Sequence, residues 1–194
     1  MSERWRRPFL RGERVFLRPA ERDEVGLLAT WMNDAEVMET LGGRAPQGDL
    51  AEERWFEQLQ EEQGKSRWHF LICLRADERP VGIAGLHSVD QVNGKAELGV
   101  GICEPALWDQ GYGTEASRIA VDFGFGELRL HRIYLHVFAT NQRGVHVYKK
   151  LGFRLEGTGR RASYHHGSRH DVHVMGLLRD EWQAQTWTRT WERT

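Results

Sequence analysis

Between residues 67 and 103 the apolar positions alternate instead of recurring at helical spacing. RWHFLICL (67–74), VGIAGLHSV (81–89) and KAELGVGIC (95–103) are separated by the turn formers of RADERP and by Asn93-Gly94. Connections that short join antiparallel neighbours, so the three runs predict a meander. The next segment is the stronger constraint. WDQGYGTEASRIAVDFGF (108–125) opens on Gly111 and Gly113 and continues at helical period, and HRIYLHVFA (131–139) alternates again. Strand, helix and strand in that order predict a right-handed crossover whose two strands lie parallel. One sheet must then hold both antiparallel and parallel pairs.

The flanking segments extend this unit at both ends. RVFLRPA (14–20) alternates and stops at Pro19, as a first strand would. Asp23 is placed to cap a helix running to Trp31, with Val25, Leu27, Leu28 and Trp31 as its apolar stripe. Residues 33–49 are rich in turn formers and read as loop with at most a short helix. Asp49 is placed to cap a second helix, apolar at Leu50, Trp55, Phe56 and Leu59. After residue 139, QRGVHVYKKL (142–151) reads as a short helix ended by Gly152, and residues 153–178 as a hairpin turning near Gly167. RDEWQAQTW begins a last helix. The expected architecture is a single α+β domain over residues 1–194, with its core at about 14–182. It has one mixed, mostly antiparallel sheet of about seven strands with helices on both faces. A basic arm (1–13) and a Trp-rich tail (183–194) flank the core.

Composition excludes several classes. With 194 residues, 40% hydrophobic and 28% charged, the chain has the make-up of a soluble globular domain. A net charge of -1 supplies no field for nucleic acid. The arm carries Arg4, Arg6, Arg7, Arg11 and Arg14 but no apolar stretch after them, so it reads as a solvated extension and not a signal. No window is apolar over the ~20 residues a membrane span needs. The two cysteines, Cys73 and Cys103, lie in apolar runs and read as reduced core thiols of a cytoplasmic protein. Trp182, Trp187 and Trp191 form an apolar edge on the tail, at about 140° and 40° around a helix. Either the protein's own sheet or a second subunit must cover it, so the chain is expected to be a monomer or a homodimer.

Glycine at a helix entrance costs about 1 kcal/mol against alanine, so Gly111 and Gly113 need another reason. Without a Cβ, the backbone N–H groups of a helix N-terminus can approach a phosphate or pyrophosphate. The spacing is not that of a P-loop, which needs Gly-Lys-Ser/Thr, nor of G-x-G-x-x-G, since Ala116 takes the third glycine position. A second motif stands downstream: Asn141, Gly144, Tyr148, Gly152 and Phe153. The two together resemble the GNAT superfamily of acyl-CoA-dependent N-acyltransferases, whose signature is [Q/R]-x-x-G-x-[G/A] at a helix start followed by N-x-x-[A/S/G]-x-x-x-Y-x-x-x-G-F. The second motif is complete here; in the first, Trp108 occupies the Gln/Arg slot. The likeness extends from residue 14 to about 182, toward the branch of ribosomal-protein N-terminal and polyamine acetyltransferases.

The resemblance implies the following roles. The sheet splays between its fourth and fifth strands, and the pantetheine arm of acetyl-CoA lies along Gly101, Ile102 and Cys103. The loop of Trp108, Asp109, Gln110, Gly111, Tyr112, Gly113 and Thr114 takes the pyrophosphate. Asn141 bonds the pantetheine amide, and Tyr148 protonates the departing sulfur as general acid. At helical spacing with Val145 and Leu151, Tyr148 also reads as an ordinary core aromatic. Glu97 occupies the place of a catalytic or water-bridging carboxylate; a structural carboxylate with a cross-strand Arg or Lys is the alternative, and a water chain to solvent is another. Glu115 reads as a partner of the helix dipole. His165, His166, His170 and His173 share a hairpin tip without the spacing of a metal site, so no metal is expected. That tip with Tyr164, and the loop with Asp34, Glu36 and Glu39, would wall a pocket for a cationic acceptor. The implied reaction is acetyl transfer to a primary amine, either a protein N-terminus or a small amine such as a polyamine or aminoglycoside. A non-catalytic acyl-CoA binder and a nucleotide binder remain as other readings.

Overall fold

The chain enters its sheet earlier than the alternation announces. In the computed structural model, which describes residues 8–42, 48–165 and 167–183, a two-residue strand, β1 (Leu10–Arg11), pairs antiparallel with β2 (Val15–Arg18). Two residues carry no period, so β1 is not visible in the sequence pattern. Tertiary contacts hold this segment instead. The Glu115 carboxylate accepts from the N–H groups of Arg14 (2.9 Å) and Glu13, and the Phe9 ring stacks on Phe70 at 5.8 Å between centroids.

The first helices correct two capping assignments. Asp23 lies in a 3-10 turn, and α1 (Val25–Met32) starts from Glu24. The Glu24 carboxylate is engaged with the buried Arg18 guanidinium, at 2.6 and 2.7 Å, and with the Glu21 N–H. Such a bidentate pair keeps two buried charges satisfied. Within the segment read mostly as loop, α2 (Ala35–Leu41) forms because the Asp34 side chain accepts from the N–H groups of Glu36 and Val37. α3 (Asp49–Glu62) has Gly48 at its cap position, not Asp49.

β3 (Trp68–Leu74), β4 (Pro80–Asp90) and β5 (Lys95–Ile102) form the meander. α4 (Tyr112–Gly126) crosses to β6 (Arg132–Phe138), α5 (Gln142–Lys150) follows, and β7 (Arg154–His165), β8 (Ser168–Leu178) and α6 (Arg179–Gln183) complete the described chain. The sheet has eight strands in the order β1-β2-β3-β4-β5-β6-β8-β7, one more than expected. Only the β5–β6 pair is parallel among the described strands, as the crossover requires. No described helix is long and apolar enough to cross a membrane.

Strand parity divides the interior in two. On β3, Phe70, Ile72 and Leu74 join the core beneath α4, with Ile119 and Val121. Leu71 and Cys73 point the other way, to Leu28, Trp31 and Phe56 of α1 and α3. Helices thus cover both faces. Burial pushes the free thiols of Cys73 and Cys103 up to about 11 and about 12, so both stay protonated at neutral pH. Trp182 is fully buried, and its Nε1 donates to Asp122 at 2.7 Å. The protein's own core therefore covers the first tail tryptophan. Trp187, Trp191, His166, Arg4, Arg6 and Arg7 lie outside the described residues.

β5 and β6 pair only at Lys95–Arg132, Ala96–Ile133 and Glu97–Tyr134. Beyond Glu97, β5 stays with β4 as far as Ile102, and β6 stays with β8 as far as Phe138. The sheet is split between the two strands where the resemblance implied a splay.

His69 on β3 carries a pH signature of this packing. It is 3% exposed, its ring lies edge-on to Trp55, and burial, helped by His87 and Arg67, lowers its pKa to about 3 from 6.5. The unfolded chain therefore binds the proton first, and stability falls as pH drops from 6.5 toward 3. Urea unfolding at pH 6.5 and pH 5 checks this: His69→Gln loses about 1–2 kcal/mol less than wild type over that interval.

Candidate active site

The split opens a cavity of about 870 Å³. β5 lines one side from Glu97 to Ile102, and His136, Val137 and Phe138 of β6 line the other. The glycine turn closes one end, and α5 contributes Asn141, Arg143, Val147 and Tyr148. Beyond Glu97, the β5 edge that faces β6 has no strand partner among the described residues, so its backbone polar groups face the space where a ligand would lie.

The two glycines have different reasons. Gly111 sits at φ 84°, the left-handed region, as the N-cap of α4. Gly113 is not so constrained: an added Cβ would meet nothing nearer than Ile102 Cγ1 at 3.6 Å. Its own packing leaves room there, and the open side is the cavity. No side chain caps α4, and the first intrahelical bond is Glu115 N–H to Gly111 O at 3.1 Å. The N–H groups of Tyr112, Gly113 and Thr114 precede any intrahelical acceptor, so this end attracts an anion.

Trp108 explains its own departure from the motif. Its Nε1 donates to Ile102 O at 2.8 Å, tying the loop to the end of β5. The Arg143 guanidinium lies 4.8 Å over its ring and pairs with Asp109 at 3.2 Å. Sequence reasoning missed Arg143, although a basic residue two places after Asn141 was the available signal. Two residues of the expected pyrophosphate and pantetheine set stand outside the lining. Gln110 donates to Ala106 O and accepts from Arg14, supporting the loop from behind. Cys103 is buried in the α1–α3 core, and its N–H donates to Val81 O on β4, away from the split.

Asn141 caps α5, its Oδ1 accepting from Gly144 N–H at 2.9 Å. Tyr148 unites the two readings given to it. Its ring belongs to the core, edge-on to Phe153, and also lines the cavity. Burial pushes its phenol up to about 12, so at neutral pH it can give a proton and cannot take one. Glu97, the last β5 residue paired with β6, lies 2.7 Å from His136 Nδ1. Its cross-sheet partner is a histidine, neither the Arg nor the Lys considered for a structural carboxylate. Glu115 is more than a partner of the helix dipole: it anchors the N-terminal strands and Arg14.

The expected acceptor walls are corrected. Tyr164 is half exposed and outside the lining, because the β7–β8 hairpin runs past the last β6 rung at Phe138–Val172. Asp34 is used in capping α2; Glu36 and Glu39 do not line the cavity, where α2 presents Thr40 and Leu41. Among the described residues no group of three or more His, Cys, Asp or Glu converges to hold a metal.

A sheet split between parallel neighbours, with an uncapped helix N-terminus at the mouth, is the arrangement that the resemblance to acyl-CoA-dependent N-acyltransferases implied. Residues 14–154 match the acetyltransferase (GNAT) domain, and the chain belongs to that family. It is an acetyl-CoA-dependent N-acetyltransferase. The spermidine N(1)-acetyltransferase of Escherichia coli (strain K12) is 30% identical over 148 residues, covering 74% of each chain. The putative ribosomal N-acetyltransferase YdaF of Bacillus subtilis (strain 168) is 35% identical over 104 residues, covering 54% of this chain and 56% of that one. The structure of spermidine N-acetyltransferase from Vibrio cholerae, in complex with CoA and spermine, superposes with a TM-score of 0.82 at 23% identity, covering 89% and 99% of the two chains.

Gly113→Val places a branched side chain on the open side of the turn. CoA affinity by calorimetry falls about tenfold or more while the melting temperature stays near wild type. Unchanged CoA affinity in the folded variant removes the turn from phosphate binding.

Proposed function

We propose that this enzyme acetylates a primary amine by direct attack within a ternary complex, and that the acceptor is a small polyamine-like amine. The observation that carries the first part is the single cavity on which the split β5 edge, the α4 N-terminus, Glu97 and Tyr148 all open. The acceptor class rests on a relative matched over 74% of the chain, a spermidine acetyltransferase. A ribosomal-protein N-terminus is the second reading, favoured by the higher identity to YdaF over a shorter stretch.

Acetyl-CoA supplies the activated acetyl group. In this reading the N–H groups of Tyr112, Gly113 and Thr114 hold the pyrophosphate, with Trp108, Asp109 and Gly111 shaping the loop. Arg143 adds positive charge beside them. Gly101 and Ile102 offer backbone groups to the pantetheine arm, and the Asn141 amide NH₂ bonds it, its oxygen being occupied in the cap. A β5 N–H stabilises the developing oxyanion. Tyr148 protonates the departing sulfur: with its phenol raised to about 12 it still holds its proton at neutral pH and lies on the cavity wall where the thioester leaves. An amine is mostly protonated at neutral pH, so a base must act from the cavity, where Glu97 lies at the end of the paired region in contact with His136.

Thiol release from acetyl-CoA with spermidine, a peptide bearing a free N-terminus and an aminoglycoside tests the assignment. Turnover is expected with spermidine above the other two; a preference for the peptide selects the second reading, and no turnover with any returns the protein to a non-catalytic acyl-CoA binder. Tyr148→Phe lowers kcat about 10²-fold with CoA affinity retained. A rate within a factor of about two of wild type leaves Tyr148 a core residue only.

A further inference from the structure

We infer that His136 Nε2, and not the Glu97 carboxylate, takes the proton from the acceptor amine, and that Glu97 is the residue that positions it. The inference rests on the amine-acetylating reading above and assigns its base. His136 stands on β6 two residues past Tyr134, the parallel partner of Glu97, where the strands part, and both residues line the cavity. Glu97 Oε1 lies 2.7 Å from His136 Nδ1. A carboxylate accepts only, so Nδ1 carries the hydrogen, and Nε2 is left with its lone pair. The His136 side chain is 49% exposed against 30% for Glu97, so the ring is the more accessible of the two. This is the arrangement of base and orienting group that makes a neutral imidazole an effective proton acceptor, with the carboxylate stabilising the imidazolium that forms.

The surroundings support that assignment. On β6 itself Tyr134 sets its ring edge-on to His136 at 5.9 Å. From β4, His87 pairs in register with Glu97, and its lowered pKa, set first by burial and then by Arg67, keeps it neutral beside the dyad. From β8 the residue opposite His136 is Val174, which brings no charge. Glu97 is therefore the anion that faces the ring.

The protons balance. The substrate ammonium gives one proton to Nε2, which passes it to solvent. The nitrogen lone pair forms the C–N bond as the C–S bond of the thioester breaks, and the Tyr148 hydroxyl protonates the sulfur. The second nitrogen proton leaves as the amide forms and restores the phenol, so one proton is released per acetyl transferred.

Two measurements test the assignment. Long-range ¹H–¹⁵N NMR of the free protein at pH 8 is expected to show His136 as the Nδ1–H tautomer, with a lower imidazole pKa in Glu97→Gln; an Nε2–H tautomer overturns the proposal. In thiol release with acetyl-CoA and the preferred amine among spermidine and a free-N-terminus peptide, His136→Gln is expected to lose about 10²-fold or more in kcat. It also loses the acidic limb of the pH–rate profile while keeping CoA affinity, and added imidazole restores rate to His136→Ala. Glu97→Gln is expected to lose less and to shift that limb to lower pH. A His136→Gln enzyme that keeps rate and limb, while Glu97→Gln loses both, overturns the proposal in favour of the carboxylate and leaves the proposed function standing. A wild-type protein that acetylates neither amine defeats the function instead, and the tautomer still decides the geometry.

Discussion

The parallel ladder between β5 and β6 stops after three rungs, and the rest of the active site depends on that stop. A sheet normally pairs every buried backbone group, and leaving a strand edge unpaired is costly unless something else satisfies it. Here neither strand is abandoned. β5 keeps β4 on its other side and β6 keeps β8, so each is held while the edges between them part. The gap is a rigid slot whose walls are backbone, which suits an extended ligand arm that can pair as a strand does.

Helix α4 sets the far end of that slot, and its position is over-determined. Its buried side carries Ala116, Ile119, Ala120 and Val121 into the core. Near its start Glu115 holds the N-terminal strands, and one turn before its end Asp122 receives the Trp182 indole. A helix pinned at both ends can leave its first N–H groups uncapped without fraying, so the positive end stays aimed at the cavity. Arg143 reinforces the same end from α5, its charge shared with Asp109 and its guanidinium over the Trp108 ring.

Polar groups gather behind the dyad as well. His69 and His87 lie with ring centroids 6.4 Å apart, and the Nδ1 of each is buried. Gly99 gives His87 its room, since a Cβ there would come within 2.8 Å of Nε2. The absence of a side chain on β5 thus serves the histidine side of the site, as its absence at Gly113 serves the phosphate side.

What could be read from the sequence is what lies within one segment. Alternation, the Gly111–Gly113 turn and the Asn141-to-Phe153 spacing each sit on a continuous run, where period and side-chain chemistry decide the local form. They were enough for the sheet, the crossover and the glycine-turn end of the cavity. β1 escaped because two residues carry no period, and the bounds of the short helix α2 escaped because seven residues carry too little to outvote their turn-rich surroundings. Cys103 was assigned to the slot by its neighbours, yet beyond the strand end its N–H turns to Val81. His136 with Glu97, Arg14 with Glu115 and Trp182 with Asp122 join positions 39, 101 and 60 residues apart. No local pattern encodes such pairs: each exists only because the register of the sheet and the packing of α4 bring two distant surfaces together. The sequence by itself determined the elements and the motif residues; the tertiary structure decided which of them face each other across the split, because the direction of a side chain follows from strand parity and helix packing that only the assembled sheet defines.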